Sequence, residues 1–331
     1  MIIKSSLEPL DYDDILLLPA HSEITSRNNI NLLNDKYYIP IFSAPMLNIS
    51  EPKLITEIDK LGGVGILHRF FEDSKQRYNA IDKISQTNPI NFGVSIGINN
   101  FEDELNYVQY ATFICGAKFV VIDTASGYLE NTIKSVIKLY EFRKEKMLDF
   151  QIIAGNVVDQ YGAYHLALAG ADMIRVNIGT GIQCLTSKSI GIGCPPLTAI
   201  ADCARIKVKF PNVKIIADGG IYDPGRGLKA LAFGADALMI GSLFGRAEEA
   251  DNRGIIFGMS SYELQDRMNK SKKSNEGKVT IIDPKEIRPL KDIFTEFAFG
   301  LRSGLSYLGI DDINKIHETK IEYIGVNNSV R

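Results

Sequence analysis

Between Gly179 and Cys194 the chain reads Gly-Thr-Gly-Ile-Gln-Cys-Leu-Thr-Ser-Lys-Ser-Ile-Gly-Ile-Gly-Cys, which sets a thiol at Cys184 and a hydroxyl two residues on at Thr186. Glycine loses more backbone entropy on ordering than any other residue, so a stretch punctuated in this way is a poor helix or strand and reads as a reactive loop. A cysteine does covalent chemistry as its thiolate, which requires that its proton leave. A plainer reading competes with this one, because a cysteine at a strand end is most often a small buried hydrophobe. That plainer reading is kept for Cys115, Cys194 and Cys203; the four cysteines show no CxxC pair and no metal-ligand spacing.

The rest of the composition narrows what such a loop could serve. The chain has 331 residues, 45% hydrophobic and 23% charged, enough to bury a large core. A net charge of −3 argues against a sequence-independent grip on nucleic acid, which needs surplus Lys and Arg. No run of about 18 apolar residues suggests a membrane span, and the N-terminal residues carry no signal-peptide core. A cytoplasmic protein with reduced thiols is expected.

Eight apolar runs of strand length recur: Ile39 to Met46, Gly63 to Phe70, Asn91 to Ile98, Phe119 to Ser126, Gln151 to Val158, Met173 to Gly179, Lys214 to Ile221 and Ala237 to Phe244. Helical spacing marks Glu51 to Leu61, Asn131 to Lys146, Gln160 to Ala169, Leu197 to Lys209 and Gly225 to Phe233. The even-numbered strands are preceded by a repeated device, Leu61-Gly62-Gly63, Cys115-Gly116-Ala117, Ala169-Gly170-Ala171 and Phe233-Gly234-Ala235, whose glycines suit left-handed helix caps. Strands alternating with helices predict a parallel sheet covered on both faces, and eight such units predict a TIM (β/α)8 barrel. The rival, an open doubly wound sheet, would more often place Gly-x-Gly-x-x-Gly after its first strand, whereas this strand ends Ser43-Ala44-Pro45-Met46. The expected organisation is one barrel domain over 1–331, with a catalytic loop at 179–195, a flap at about 257–292 and no inserted regulatory module.

In such a barrel the site lies at the C-terminal strand ends. Those ends read Asp123-Thr124-Ala125-Ser126-Gly127, Ala154-Gly155-Asn156, the cysteine loop, Ala217-Asp218-Gly219-Gly220 and Gly241-Ser242. With Asp11-Tyr12-Asp13-Asp14-Ile15-Leu16-Leu17-Leu18-Pro19, Ser43-Ala44-Pro45-Met46, His68-Arg69-Phe70 and Gly258-Met259-Ser260-Ser261, this order resembles the IMP dehydrogenase and GMP reductase family of purine nucleotide enzymes over nearly the whole chain. The stretch between Phe70 and Asn91 is too short for the regulatory module common in the dehydrogenases. The flap, ending in Lys270-Ser271-Lys272-Lys273-Ser274-Asn275-Glu276-Gly277-Lys278, lacks their Arg-Tyr pair and is similar to that of a bacterial reductase group.

The resemblance implies NADPH-dependent reductive deamination of GMP to IMP and ammonia. Cys184 is then the nucleophile at purine C2, with Thr186 and Glu276 as the proton relay. Met46, Arg175, Asp218, Gly219, Gly220, Gly241, Ser242, Gly258 and Met259 hold the nucleotide: Asp218 accepts from ribose hydroxyls, and the glycine N–H groups meet phosphate. Asp123, Thr124, Ala125 and Asn156 fall on the nicotinamide side. The carbonyls of Gly179, Gly181 and Cys184 resemble a monovalent-cation site, for K+, and a homotetramer is implied. His68 reads as structural rather than catalytic. An IMP dehydrogenase using NAD and a diverged, inactive purine-nucleotide-binding barrel are the alternatives. The chain departs from the family where a phosphate-binding Ser or Lys gives way to Ile182, and where a tyrosine gives way to Ile256 or Phe257.

Overall fold

A computed structural model of the chain describes residues 9–34, 38–181, 184–258, 261–262 and 275–326. Eight parallel strands form the central sheet: β1 (Ile41–Ser43), β2 (Gly65–Leu67), β3 (Phe92–Ile96), β4 (Phe119–Asp123), β5 (Gln151–Val157), β6 (Met173–Val176), β7 (Lys214–Asp218) and β8 (Ala237–Ile240). Their order around the sheet is β1-β8-β7-β6-β5-β4-β3-β2. The remaining gap, between β1 and β2, is closed by a Phe42↔Val64 bridge, where Ser43 N–H reaches Val64 O at 2.9 Å and Val64 N–H reaches Ile41 O at 3.0 Å. The molecule is the TIM barrel that the strand rhythm predicts.

Helices follow the strands around the outside: α1 (Pro52–Lys60), α2 (Ser74–Ser85), α3 (Phe101–Gln109), α4 (Glu130–Glu145), α5 (Gln160–Leu168), α6 (Pro196–Ala204), α7 (Pro224–Ala232) and α8 (Leu290–Tyr307). The strands are buried on both faces. One set of side chains packs under the helices and the other fills the barrel axis, where Phe42, Val64, Ile66, Phe119, Val121, Ile153, Met173, Ile216 and Met239 form a second apolar cluster. Tyr38, Phe42 and Phe119 meet edge to face, with centroids 5.2 to 5.7 Å apart, an arrangement the ring quadrupoles favour.

The repeated Gly-Ala-Asp device has a physical basis. Gly62, Gly116, Gly170 and Gly234 all take positive φ and end a helix. After the last two, Asp172 accepts the N–H of Ile152 and Asp236 that of Ile215, each at 2.6 Å, so a single carboxylate locks the entry to the next strand onto its neighbour. The observed strands stop earlier than the apolar runs do, because Pro45 and Met46, for example, are apolar but lie past the last inter-strand bond, Ala44 N–H to Ile240 O at 2.9 Å, where the mouth begins. The predicted helix over Leu197 to Lys209 is helical through Ala204 and then tightens into a 3-10 turn, Arg205–Val208. The flap stands on an antiparallel pair, Ile255–Phe257 with Val279–Ile281. No helix among the described residues is long and apolar enough to cross a membrane.

Candidate active site

The nucleophile candidate sits where β6 hands over to a loop too glycine-rich for regular structure. Cys184 is partly exposed, and its Sγ lies 3.2 Å from Thr186 Oγ1. The loop turns on itself through Cys184 N–H to Gly181 O at 2.9 Å, and a one-turn helix, Thr186–Ile190, follows. Cys115 and Cys203 are buried by comparison, and burial together with the carboxylate of Asp82 pushes the Cys115 thiol up to about 11. A thiol so raised stays protonated and inert at neutral pH.

The far end of the flap is stitched to this loop. Cys184 and Gly277 form an antiparallel bridge, Leu185 N–H donates to Glu276 O at 2.7 Å, and Ser189 Oγ donates to Asn275 O at 2.8 Å. Glu276 is thereby fixed beside the thiol loop through its backbone. Gly258 N–H donates to Lys278 O, and Ser261 N–H to Gly258 O. A Cβ on Gly277 would stand 2.5 Å from Ser261 N and 2.8 Å from Gly258 O, so only glycine lets these strands cross. Met259, Ile182 and residues 263–274 of the flap lie outside the described residues.

Across the mouth runs a chain of charges. Arg175, buried at the end of β6, donates from Nε (3.1 Å) and Nη2 (2.8 Å) to Asp218 Oδ2, and from Nη1 (3.2 Å) to Asp123 Oδ1. Arg69 Nε reaches the other oxygen of Asp123 at 3.2 Å. Asn156 Nδ2 donates to Asp218 Oδ2 at 2.8 Å and to Asn177 O at 2.9 Å. Burial alone would push the Arg175 guanidinium down, but the two carboxylates outweigh it and hold it up. Arg175 therefore stays charged, and its observed bonds go to carboxylates, which it orients. Both Asn156 amide hydrogens are spent, which leaves Oδ1 for a ligand, an acceptor suited to a neutral carboxamide. Thr124 Oγ1 points back to Gly155 O and Ser126 O, so it shapes its loop, while Ala125 is exposed at the rim.

Glycines make the opposite half of the mouth. Gly219 and Gly220 both take positive φ and lie against Thr180 and Gly181, while Met46 Sδ occupies the space that a Cβ on Gly241 would need. The N–H groups of Gly219, Gly220, Gly241 and Ser242 find no acceptor among the described residues. Gly179 O and Gly181 O accept from Ser187 Oγ (3.0 Å) and Cys184 N–H (2.9 Å). Each keeps one lone pair that a monovalent cation would have to share. His68 is structural: Nδ1 accepts from Phe70 N–H at 3.0 Å, so Nε2 carries the proton to Glu51 Oε1 at 2.6 Å.

The strand ends thus gather Cys184, Thr186, Asp123, Asn156, Arg175, Asp218 and the glycine pair. The sequence reading missed Arg69 as a partner of Asp123, although its place just past β2 marked it. It also missed Tyr12, Asn177 and Thr180, whose side chains converge under the glycines.

With that geometry in hand, residues 9–330 match the family described as the IMP dehydrogenase / GMP reductase domain. The GMP reductase of Oceanobacillus iheyensis is 32% identical, covering 97% of this chain and 96% of its own. That of Bacillus subtilis is also 32% identical, over 97% of both. The inosine-5'-monophosphate dehydrogenase of Borreliella burgdorferi is 29% identical, over 95% of this chain and 93% of its own.

Proposed function

The chain belongs to the IMP dehydrogenase and GMP reductase family, and from that premise we propose that it is a GMP reductase, converting GMP to IMP and ammonia. The observation that carries the reading is Cys184 Sγ at 3.2 Å from Thr186 Oγ1, on a loop stitched to Glu276 and Gly277. Cys184 loses its proton along Thr186 and attacks C2 of guanine. The bond from C2 to the 2-amino group breaks, and the nitrogen takes a proton from the same relay and leaves as ammonia. A nicotinamide cofactor, when bound, supplies the hydride that C2 must gain. Cleavage of the carbon–sulfur bond then returns the thiolate and frees IMP.

Around these steps the remaining residues bind and orient. Asp218, held by Arg175 and Asn156, presents its free acceptor capacity to the ribose hydroxyls. The N–H groups of Gly219, Gly220, Gly241 and Ser242 take the phosphate, Met46 packs on the purine, and Gly258 and Met259 meet its edge. Asp123, Thr124, Ala125 and the Asn156 carbonyl line the nicotinamide side. A K+ on the Gly179, Gly181 and Cys184 carbonyls would stiffen the loop and take no part in bond making. NADPH as the cofactor, a homotetramer and a cytoplasmic location complete the proposal.

The test is a product assay with both substrate pairs. Loss of the NADPH absorbance with GMP, with IMP and ammonia formed in equal amounts, is the expected result. XMP formation from IMP and NAD, without GMP reduction, would reassign the chain to the dehydrogenase chemistry of its Borreliella burgdorferi relative.

A further inference from the structure

The barrel closes least firmly between β1 and β2, which share a single bridge where every other neighbouring pair shares at least three ladder positions. Side chains supply what the ladder lacks. Ser43 Oγ accepts from Ile66 N–H at 2.9 Å, and Ser50 Oγ lies 2.9 Å from Ser43 Oγ and donates to Ala44 O at 2.6 Å. A Cβ on Gly65 would stand 2.6 Å from Ile55 Cγ2, so α1 is in close contact with β2.

At the mouth end of this seam, Glu51 and His68 join the two loops. Glu51 immediately precedes α1, in the loop that carries Met46, and His68 immediately follows β2. His68 Nε2 donates to Glu51 Oε1 at 2.6 Å; the histidine side chain is fully buried and that of Glu51 is 20% exposed. Burial would push the Glu51 carboxyl up, but the hydrogen bonds from His68 and from Asn48 N–H outweigh it and hold it below its ordinary value. Glu51 therefore accepts as a carboxylate, which makes the stronger kind of hydrogen bond.

The other side of the imidazole holds the loop after β2. Nδ1 accepts from Phe70 N–H at 3.0 Å, and the Phe71 ring stacks on it with centroids 4.4 Å apart. Between the two residues joined by that bond stands Arg69. Its guanidinium lies over the Phe70 ring, 4.5 Å from the centroid, and its Nε donates to Asp123 Oδ2 at 3.2 Å. The Arg69 side chain is 29% exposed, and a long side chain near the surface gives up rotamer freedom to stay on one partner. The contacts running from α1 through Glu51, His68 and Phe70 supply that restraint.

We propose that the Glu51–His68 hydrogen bond positions Arg69 against Asp123, and through it orders the nicotinamide side of the mouth. The proposal rests on the reading of Asp123 as part of that side. It makes Glu51 and His68 positioning residues, which act through Arg69 and touch neither substrate nor cofactor.

The test reads the Arg69 pose directly, from the NMR signal of its Nε–H, assigned with Arg69→Lys, and from the exchange of that proton with water. Glu51→Leu fills the space and removes the acceptor, whereas Glu51→Gln keeps one. His68→Asn breaks the same link from the other side: its amide oxygen can still accept from Phe70 N–H, but the shorter side chain falls short of Glu51. Glu51→Leu and His68→Asn should each speed Arg69 exchange at least about tenfold, the loss of one hydrogen bond to a charged group. Glu51→Gln should change it by less than about twofold on the same bond count. The Nε–H of Arg175, which is held by Asp218, should exchange at one rate in all of these proteins. In steady-state assays the two disrupting variants should raise KM for NADPH about tenfold and leave KM for GMP within about twofold.

Unchanged Arg69 exchange in the disrupting variants overturns the proposal. So does equal acceleration of Arg69 and Arg175, the mark of a generally loosened barrel, or an unchanged KM for NADPH. If the wild type does not reduce GMP while Arg69 exchange still separates the variants, the assigned reaction fails and the positioning role stands. If GMP is reduced and Arg69 exchange does not respond, the reaction stands and the positioning role fails.

Discussion

Replacing Arg175 by methionine removes the one guanidinium set between Asp123 and Asp218 at the barrel mouth. Its side chain is 8% exposed, and those of Asp123 and Asp218 are 18% and 13% exposed. With about 4 Å between charge centres and an effective dielectric near 20, each carboxylate gains about 4 kcal/mol from it. Burying the three ions takes back much of that sum, so the quantity that matters is the cost of removing one partner, about 3–5 kcal/mol for a buried pair. The two carboxylates are not equally exposed to the loss. Asp123 keeps Arg69 at 3.2 Å, whereas Asp218 keeps only the neutral amide of Asn156 at 2.8 Å among its observed partners. Arg175→Met should therefore lower unfolding free energy in urea by about 3–5 kcal/mol at neutral pH. Adding Asp218→Asn should recover part of it, and more than adding Asp123→Asn does. A loss below about 1 kcal/mol, the size expected of an exposed pair, or equal rescue by the two second substitutions, would refute this account.

Three other changes probe separate links. Thr186→Val keeps the shape of the residue but removes the oxygen 3.2 Å from the thiol; kcat for ammonia release should fall about 100-fold, as for a lost acid–base group, and a kcat within about twofold would remove Thr186 from the relay. Gly277→Ala forces a methyl group against Ser261 N and Gly258 O, so the flap base must shift off the cysteine loop; kcat should drop at least about tenfold while urea unfolding changes little, and the reverse pattern would mean the crossing is only structural. At the opposite end of the barrel, burial raises the Asp236 carboxyl, but His317 and Lys207 outweigh it and hold it below the usual range. Its contribution is present above the ordinary carboxylate value and is lost as pH falls through the lower folded one, so Asp236→Asn should cost about 1–3 kcal/mol at pH 7. That difference from wild type should vanish in acid, and a cost independent of pH would contradict the ionic origin.

Much of the barrel was legible because its signals are local. Each strand is a short run of apolar residues, and Gly62, Gly116, Gly170 and Gly234 announce helix ends through a backbone conformation that other residues resist. Helices α2 and α3 left a weaker trace, since their outer faces carry Ser, Lys, Gln, Asp and Glu and only a narrow apolar stripe is buried. The thiol loop and the hydroxyl beside it were legible for the same local reason. The links from Arg69 to Asp123, Arg175 and Asp218 were not, because the partners lie on four different strand ends and meet only when the sheet closes. Nor could composition tell that Thr180 and Asn177 turn inward, since both types are ordinary loop formers.

The single bridge between Cys184 and Gly277, with Leu185 N–H to Glu276 O beside it, ties the thiol loop to the base of the flap. Because that link runs through main-chain atoms, it tolerates a change of side chain on either partner except where a new Cβ has no room, as at Gly277.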